Sequence, residues 1–195
     1  VAIAQSAGDP SRQAAALDLL GQTYLTAGRP EPALETLENA QRLAAEAQDQ
    51  VRMATILHSL GTTQAAQKLN DEAVASFKEA RRLAQAAHLE TLAATSTINL
   101  AKMALGANQW QEAQVLLDEA LTQTRTLPDS HDKAYGLISI GLGYAALRGH
   151  LPSDGDRLRV MAADVLEEAG ETAQALGDAR AASYALGHRG HLYEQ

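Results

Sequence analysis

The chain has 195 residues, with 16 lysines and arginines against 24 aspartates and glutamates, so its formal net charge is −8 at pH 7. Forty alanines with one Trp, one Phe and five Tyr favour closely packed helices and exclude an all-β fold. No apolar run reaches the roughly 18 residues that cross a bilayer, and the absence of cysteine excludes disulfides and thiolate metal sites. We therefore expect a cytoplasmic protein with no membrane span. An acidic chain also binds a phosphate backbone poorly, so we expect no nucleic-acid partner.

A motif recurs along the chain with a period of 40 residues. Its copies are LDLLGQTY at 17–24, LHSLGTTQ at 57–64, TINLAKMA at 97–104 and LISIGLGY at 137–144, anchored on Gly21, Gly61, Ala101 and Gly141. A small, a large apolar and a second small residue follow the first three anchors at fixed offsets: Ala33, Leu37 and Ala40, then Ala73, Phe77 and Ala80, then Ala113, Leu117 and Ala120. Glycine inside a helix is unfavourable, so its recurrence predicts close approach of a neighbouring helix.

Each repeat contains two helical patterns. The first repeat shows them as Leu17, Leu20, Gly21, Tyr24 and Leu25, followed by Leu34, Leu37, Ala40, Gln41 and Ala44. Both sets follow the spacing of an amphipathic helix. Between them Gly28 and Pro30 are expected to stop the first helix, and Pro32 suits the first turn of the second.

The fourth repeat is nine residues longer than the others. A fifth copy, LGHRGHLY at 186–193, is anchored on Gly190, and the small and large positions before it move to Ala162, Leu166 and Ala169. The extra residues are placed at about 150–157, because Pro152, Ser153, Asp154 and Gly155 are typical of a loop that leads into a helix.

The predicted organisation is a single repeat array over 1–195. It comprises the end of a preceding repeat at 1–13, repeats at 14–53, 54–93 and 94–133, a repeat with the insertion at 134–182, and the first helix of a truncated repeat at 183–195. Ile3 lies 40 residues before Leu43, so we expect a fragment of a longer array without polar capping repeats. The interrupted repeats at Val1 to Ala7 and Ser183 to Gln195 would then expose apolar surface that supports a homo-oligomer.

The pattern resembles the tetratricopeptide repeat family, and the best match is Leu17, Leu20, Gly21, Tyr24, Ala33, Leu37 and Ala40. The second repeat has Gln64 in place of the tyrosine, and the third has Thr97, Ala101 and Ala104 at the positions of Leu17, Gly21 and Tyr24. The common unit of the family has about 34 residues. The 40-residue unit is similar to the long variant of kinesin light chain and of bacterial CHAT-associated arrays, and the alanine-rich composition favours the bacterial kind.

The resemblance implies an all-α fold, a right-handed α-solenoid (superhelix) of antiparallel helix pairs. It also implies a concave groove, lined by the first helix of each pair, that holds a peptide or a helix of another protein. The candidate groove residues, placed by register, are Gln22, His58, Thr62, Asn99, Lys102, Tyr135 and Ser139. The Lys and Asn clamp of the chaperone-binding branch is absent, because the matching pairs are Asp18 and Gln22, His58 and Thr62, and Ile98 and Lys102.

Asn99 is the first groove residue to test. Its amide can donate to and accept from a bound peptide backbone, or it can bond its own helix neighbours or water, and both interpretations stay open. Lys102 favours an acidic or C-terminal ligand, and Tyr135 offers an apolar surface with a polar tip. The net charge of −8 instead favours a basic partner through long-range steering.

No catalytic, cofactor or metal site is predicted. Gly141 and Gly143 resemble a dinucleotide-binding loop only faintly, because the register places them inside a helix. Asp154 and Asp156 are interpreted as a helix N-terminus rather than a calcium loop.

Two further features have structural explanations. His188 and His191 share a helix face, but the pattern places no third metal ligand beside them, so a solvated pair is favoured. Trp110 is interpreted as inter-helix packing rather than a ligand platform.

We therefore expect a non-enzymatic binding scaffold, part of a larger bacterial regulatory or adaptor protein, with a protein or peptide as its ligand. The alternative is a self-association or intramolecular docking module that controls a fused effector, protease-like or DNA-binding, outside these residues.

Overall fold

The computed structural model describes residues 9–194, and all regular structure in that range is helical. The helices are α1 Pro10–Thr26, α2 Pro30–Glu46, α3 Gln50–Ala66, α4 Asn70–Ala86, α5 Glu90–Gly106, α6 Trp110–Thr126, α7 His131–Leu147, α8 Gly155–Ala175 and α9 Ala179–Glu194. The prediction of an all-α solenoid of helix pairs is confirmed. Ile3 and the surface predicted at Val1 to Ala7 lie outside the described residues.

The chain divides into two compact units, Val1–Ser96 and Thr97–Gln195. The core of unit 1 includes Leu37, Ile56 and Leu60, contributed by the first helices and second helices alike. The core of unit 2 is larger among its described residues and includes Leu137 and Tyr144. Each unit therefore buries its own apolar side chains.

The small residues of the repeat lie where helices approach most closely. A Cβ atom on Gly21 would lie 2.5 Å from Cγ of Leu37, and one on Gly61 would lie 2.7 Å from Cε1 of Phe77. Gly141 meets Leu166 in the same way, at 2.7 Å from Cγ. The six alanines that flank the large residues of the first three repeats are fully buried. The predicted close approach is confirmed, because side chains of the second helix fill the space that each glycine leaves.

The turns between helices repeat with half the sequence period. Gly28, Gln48, Lys68, His88 and Asn108, spaced 20 residues apart, all have positive φ. In each turn the amide of the next residue donates to the carbonyl five residues earlier, as Arg29 does to Tyr24 at 2.9 Å. This is the Schellman arrangement, which caps the carbonyl end of a helix. Seventeen-residue helices and three-residue turns therefore generate the 40-residue period.

Replacing Lys68 with glycine is expected to raise the free energy of unfolding by about 0.5 to 1 kcal/mol. An L-residue in the left-handed region is strained by about 1 to 2 kcal/mol, and the greater freedom of glycine in the unfolded chain offsets part of the gain. Lys68 is exposed, so few contacts are lost. Urea denaturation measures the change. Gly28→Ala is the reciprocal control and should be destabilising; a loss of stability in Lys68→Gly would contradict the prediction.

The fourth helix pair accommodates its additional residues in two places. Seven residues separate α7 from α8, where other pairs have three, and they include a 3-10 helix at Pro152–Asp154. Helix α8 has 21 residues, four more than each earlier helix. Asp154 stands at the N-cap of α8, but its side chain makes no capping hydrogen bond and instead accepts from Arg157 at 3.4 Å.

Candidate peptide-binding surface

In unit 1 the candidate residue Gln22 bridges neighbouring first helices. Its Nε2 donates to Oδ1 of Asp18 at 3.0 Å and to Oγ of Ser59 on α3 at 3.1 Å. Asp18 and Ser59 are both buried. The Gln22 amide is therefore engaged in holding α1 against α3, although the residue itself is exposed.

His58 and Thr62 on α3 also have internal partners. Nδ1 of His58 lies 3.0 Å from Oγ of Ser96, and its ring meets the edge of Phe77 with centroids 5.6 Å apart. The Thr62 hydroxyl donates to the carbonyl of His58 at 3.0 Å. Ser96 is fully buried, and the sequence register did not single it out. The polar groups predicted for the groove in unit 1 thus serve largely to join helices.

In unit 2 the candidates lie on the neighbouring first helices α5 and α7. The two helices pack directly, because a Cβ atom on Gly136 would lie 3.3 Å from Cδ1 of Ile98. Asn99 follows Ile98 in sequence, and Tyr135 precedes Gly136, so both flank this contact. Tyr135 is 45% exposed, Lys102 is exposed, and Asn99 and Ser139 are half-buried.

These four polar groups differ from those of unit 1 in their pairing. Within residues 9–194 the structure gives the side chains of Asn99, Lys102, Tyr135 and Ser139 no hydrogen bond or ion pair. The Asn99 amide therefore does not bond to its own helix neighbours, which was one of the two interpretations of this residue. We call these four residues the unit 2 polar set. It offers an ammonium, two hydroxyls and an amide to a ligand.

Lys102 is exposed on α5, but nearby protein affects its ammonium. Desolvation by burial lowers the pKa of Lys102 below its usual value. A carboxylate placed beside an ammonium favours its charged form. The arrangement therefore suits an anionic ligand group at this position.

The other residues considered from sequence have structural roles. Trp110 packs against the core of unit 2 and stacks on His150, with ring centroids 3.8 Å apart. Gly141 and Gly143 lie inside α7, which rules out a strand-to-helix glycine loop. His188 meets Tyr184 edge-on at 4.5 Å. Among the described residues, no three His, Asp or Glu side chains are grouped so that they could hold a metal ion.

One buried hydrogen bond in unit 2 was not predicted from the sequence. The buried hydroxyl of Tyr144 donates to Oδ1 of Asp118 at 2.6 Å. The two residues are on α7 and α6, and each alone is typical of an ordinary helical position. No spacing rule in the sequence indicates such a pair.

No helix within 9–194 is both long and apolar enough to cross a membrane. Residues 52–150 match the family model described as tetratricopeptide repeat. No curated protein matches the sequence.

Several solved structures are similar to the chain. BtubC (BKLC) from P. vanneervenii is 19% identical with a TM-score of 0.66, over 99% of this chain and 85% of that one. A putative kinesin light chain from Podosopora anserina with nearly identical TPR-like repeats is 19% identical with a TM-score of 0.61, over 94% and 96%. MamA from Desulfovibrio magneticus RS-1 is 18% identical with a TM-score of 0.57, over 93% and 96%. At these identities the likeness concerns the fold alone.

Proposed function

The chain belongs to the tetratricopeptide repeat family, and we propose that it is a non-enzymatic adaptor that holds a peptide or a helix of another protein on the inward face of its first helices. The family fold is commonly a scaffold for protein–protein interaction. The proposal places the binding residues in unit 2, on α5 and α7.

The observation that carries the proposal is the unpaired state of the unit 2 polar set. These groups have no protein hydrogen bond to give up, so a ligand that bonds to them displaces only water. Gln22, His58 and Thr62 give up internal bonds when they bind a ligand, whereas the Asn99 amide gives up none. Unit 2 is therefore the better binding surface of the two.

The charge of the ligand follows from Lys102. Its exposed ammonium has no ion-pair partner among the described residues and can pair with a carboxylate, either an acidic side chain or a peptide C-terminus. The long-range field of a chain with net charge −8 favours basic residues elsewhere in the same ligand. We therefore propose a peptide with one carboxylate that meets Lys102 and a basic remainder.

A random phage-displayed peptide library, selected on the whole chain, supplies probes for the test. Asn99→Ala combined with Tyr135→Ala is expected to weaken the selected peptides by about tenfold or more, since two hydrogen-bonding groups and an aromatic surface are removed. Val115→Ala is the matched control, because Val115 is 66% exposed on the second helix α6. Fluorescence polarisation measures the affinities, and circular dichroism verifies the fold.

Lys102→Gln tests the contact with the ligand's carboxylate separately from the other contacts. It should weaken peptides with a free C-terminus or acidic residue and leave amidated, acid-free versions unchanged. If the double substitution left all affinities unchanged in a folded protein, binding would lie on the outer face or in the 150–157 insertion, and the proposed groove would be wrong.

A further inference from the structure

The contact between α5 and α7 at the unit 2 polar set has a counterpart one repeat later. In the first copy Ile98 on α5 meets Gly136 on α7. Forty residues after Ile98 stands Ile138 on α7, and Ala185 on α9 takes the register of Gly136 once the nine additional residues of the fourth repeat are counted. The register therefore predicts an equivalent contact between α7 and α9.

The structure packs α9 beside α7 as this register predicts. Ala185 is fully buried, and Ile138 is 3% exposed in the same apolar core. The two helices also meet near their starts, where Nδ1 of His131 lies 3.0 Å from Oδ2 of Asp178. Helices α7 and α9 are therefore neighbouring first helices, as α5 and α7 are.

The residues that flank the two contacts correspond as well. Asn99 and Tyr135 stand beside the first contact. Ser139 and Tyr184 take the same positions beside the second. Tyr135 is 45% exposed and Tyr184 is 51% exposed. The exposure of Tyr184 thus belongs to its register, since Tyr135 is about equally open although a further first helix follows it.

The ring of Tyr184 offers an apolar surface with a polar tip, like that of Tyr135. Its edge-on contact with His188, with centroids 4.5 Å apart, leaves the residue half exposed. Within 9–194 the structure gives the Tyr184 hydroxyl no hydrogen bond. The exposed Arg180, one helical turn before Tyr184, disfavours a second cation beside this ring. The ring therefore suits an apolar side chain of a ligand.

We propose that Tyr184 is a further specificity-determining residue of the binding surface, and that with Ser139 it forms a second subsite equivalent to Asn99 with Tyr135. This inference rests on the proposed function and adds the conformation and side-chain spacing of the ligand. The peptide crosses α5, α7 and α9, and it places one apolar side chain on each tyrosine.

The distance between neighbouring helices sets the spacing of these two side chains. Packed helices lie about 8 to 10 Å apart. A polyproline II segment has three residues per turn and rises about 3.1 Å per residue, so residues three positions apart share a face and lie about 9 Å apart. Its backbone makes no internal hydrogen bonds, which leaves amide and carbonyl groups for Asn99 and Ser139. A helical ligand uses those groups internally.

Peptides selected from the random library on the whole chain are the probes, measured by fluorescence polarisation. Tyr184→Ala is expected to weaken them by about fivefold or more, because the apolar contact with the ring is lost. Tyr184→Phe keeps the ring and should bind equally well. Tyr193→Ala is the matched control and should leave the affinities unchanged. Tyr193 is 63% exposed on the same helix, at the register of the core residue Tyr144. Circular dichroism verifies the fold of each variant.

Double-mutant cycles locate the two contacts on the peptide. The peptide residue that couples to Tyr135→Ala and the one that couples to Tyr184→Ala should stand three positions apart. A different spacing, or no coupling to Tyr184→Ala, would overturn the proposal. If Asn99→Ala with Tyr135→Ala weakens the peptides while Tyr184→Ala does not, the second subsite is wrong and the proposed function stands. If neither change weakens them, both are wrong.

Discussion

Replacing Phe77 with alanine is expected to lower the free energy of unfolding by about 3 to 5 kcal/mol, which is typical of removing a buried aromatic side chain. Phe77 is 2% exposed and fills the space above Gly61, with the His58 ring against its edge. Urea denaturation followed by circular dichroism measures the loss.

Gly61→Ala tests whether position 61 must be glycine because the Phe77 ring packs against it. In the wild-type background the added methyl overpacks and should cost about 1 to 3 kcal/mol. In the Phe77→Ala background the same change should be neutral or stabilising, because alanine is the better helix former. Equal costs in the two backgrounds would mean that the close contact does not explain the repeated glycine.

Replacing Tyr144 with phenylalanine is expected to cost about 1.5 to 3 kcal/mol at neutral pH. The change removes a hydrogen bond to a carboxylate from a side chain that is otherwise fully buried. It leaves the ring and its packing in place, so any loss beyond this range would indicate a wider disturbance of unit 2. Thermal and urea denaturation of the two proteins measure the difference.

The same hydroxyl predicts a loss of stability in alkali. Burial, reinforced by the hydrogen bond and the charge of Asp118, raises the pKa of Tyr144 above its ordinary value of 10.0. The unfolded chain ionises there while the folded chain does not, so this contribution is present below about pH 10 and falls as the pH rises further. Tyr144→Phe should therefore lose less stability than wild type between about pH 8 and pH 11. An equal loss would contradict the assignment.

Much of the fold is predictable because residues that contact each other between helices are of matching sizes and recur at fixed offsets in the sequence. Gly61 and Phe77 stand 16 residues apart in sequence and in direct contact in space, and the same offset joins Gly21 to Leu37. Small and large residues that must fit each other therefore recur at the same offsets, although other positions of the repeats differ. Fold class and helix pairing follow from it.

The turns were harder to predict for a definite reason. Among the five evenly spaced turn residues, Gly28 and Asn108 are of types that positive φ favours, whereas Gln48 and Lys68 carry no such signal. Helical packing on both sides imposes the conformation on them. Pro30 likewise begins α2 rather than only ending α1, because its missing amide is not needed in the first turn.

The pairing of the candidate residues could not be predicted from the sequence. Register places Gln22 and Asn99 on inward faces alike, yet Gln22 bonds to Ser59 while the amide of Asn99 has no partner within 9–194. The difference depends on which side chain of the adjacent first helix lies within hydrogen-bonding distance. The distances between side chains on neighbouring helices cannot be obtained from a single sequence. The preference for unit 2 therefore rests on the structure.

The most direct test of the central claim is site-specific photocrosslinking to a library-selected peptide. With benzoylphenylalanine at position 139, on α7, we expect crosslinks to the peptide that unlabelled peptide competes away. The same probe at position 115, on α6, should give none. Crosslinking at position 115 but not at position 139 would contradict binding by the unit 2 polar set.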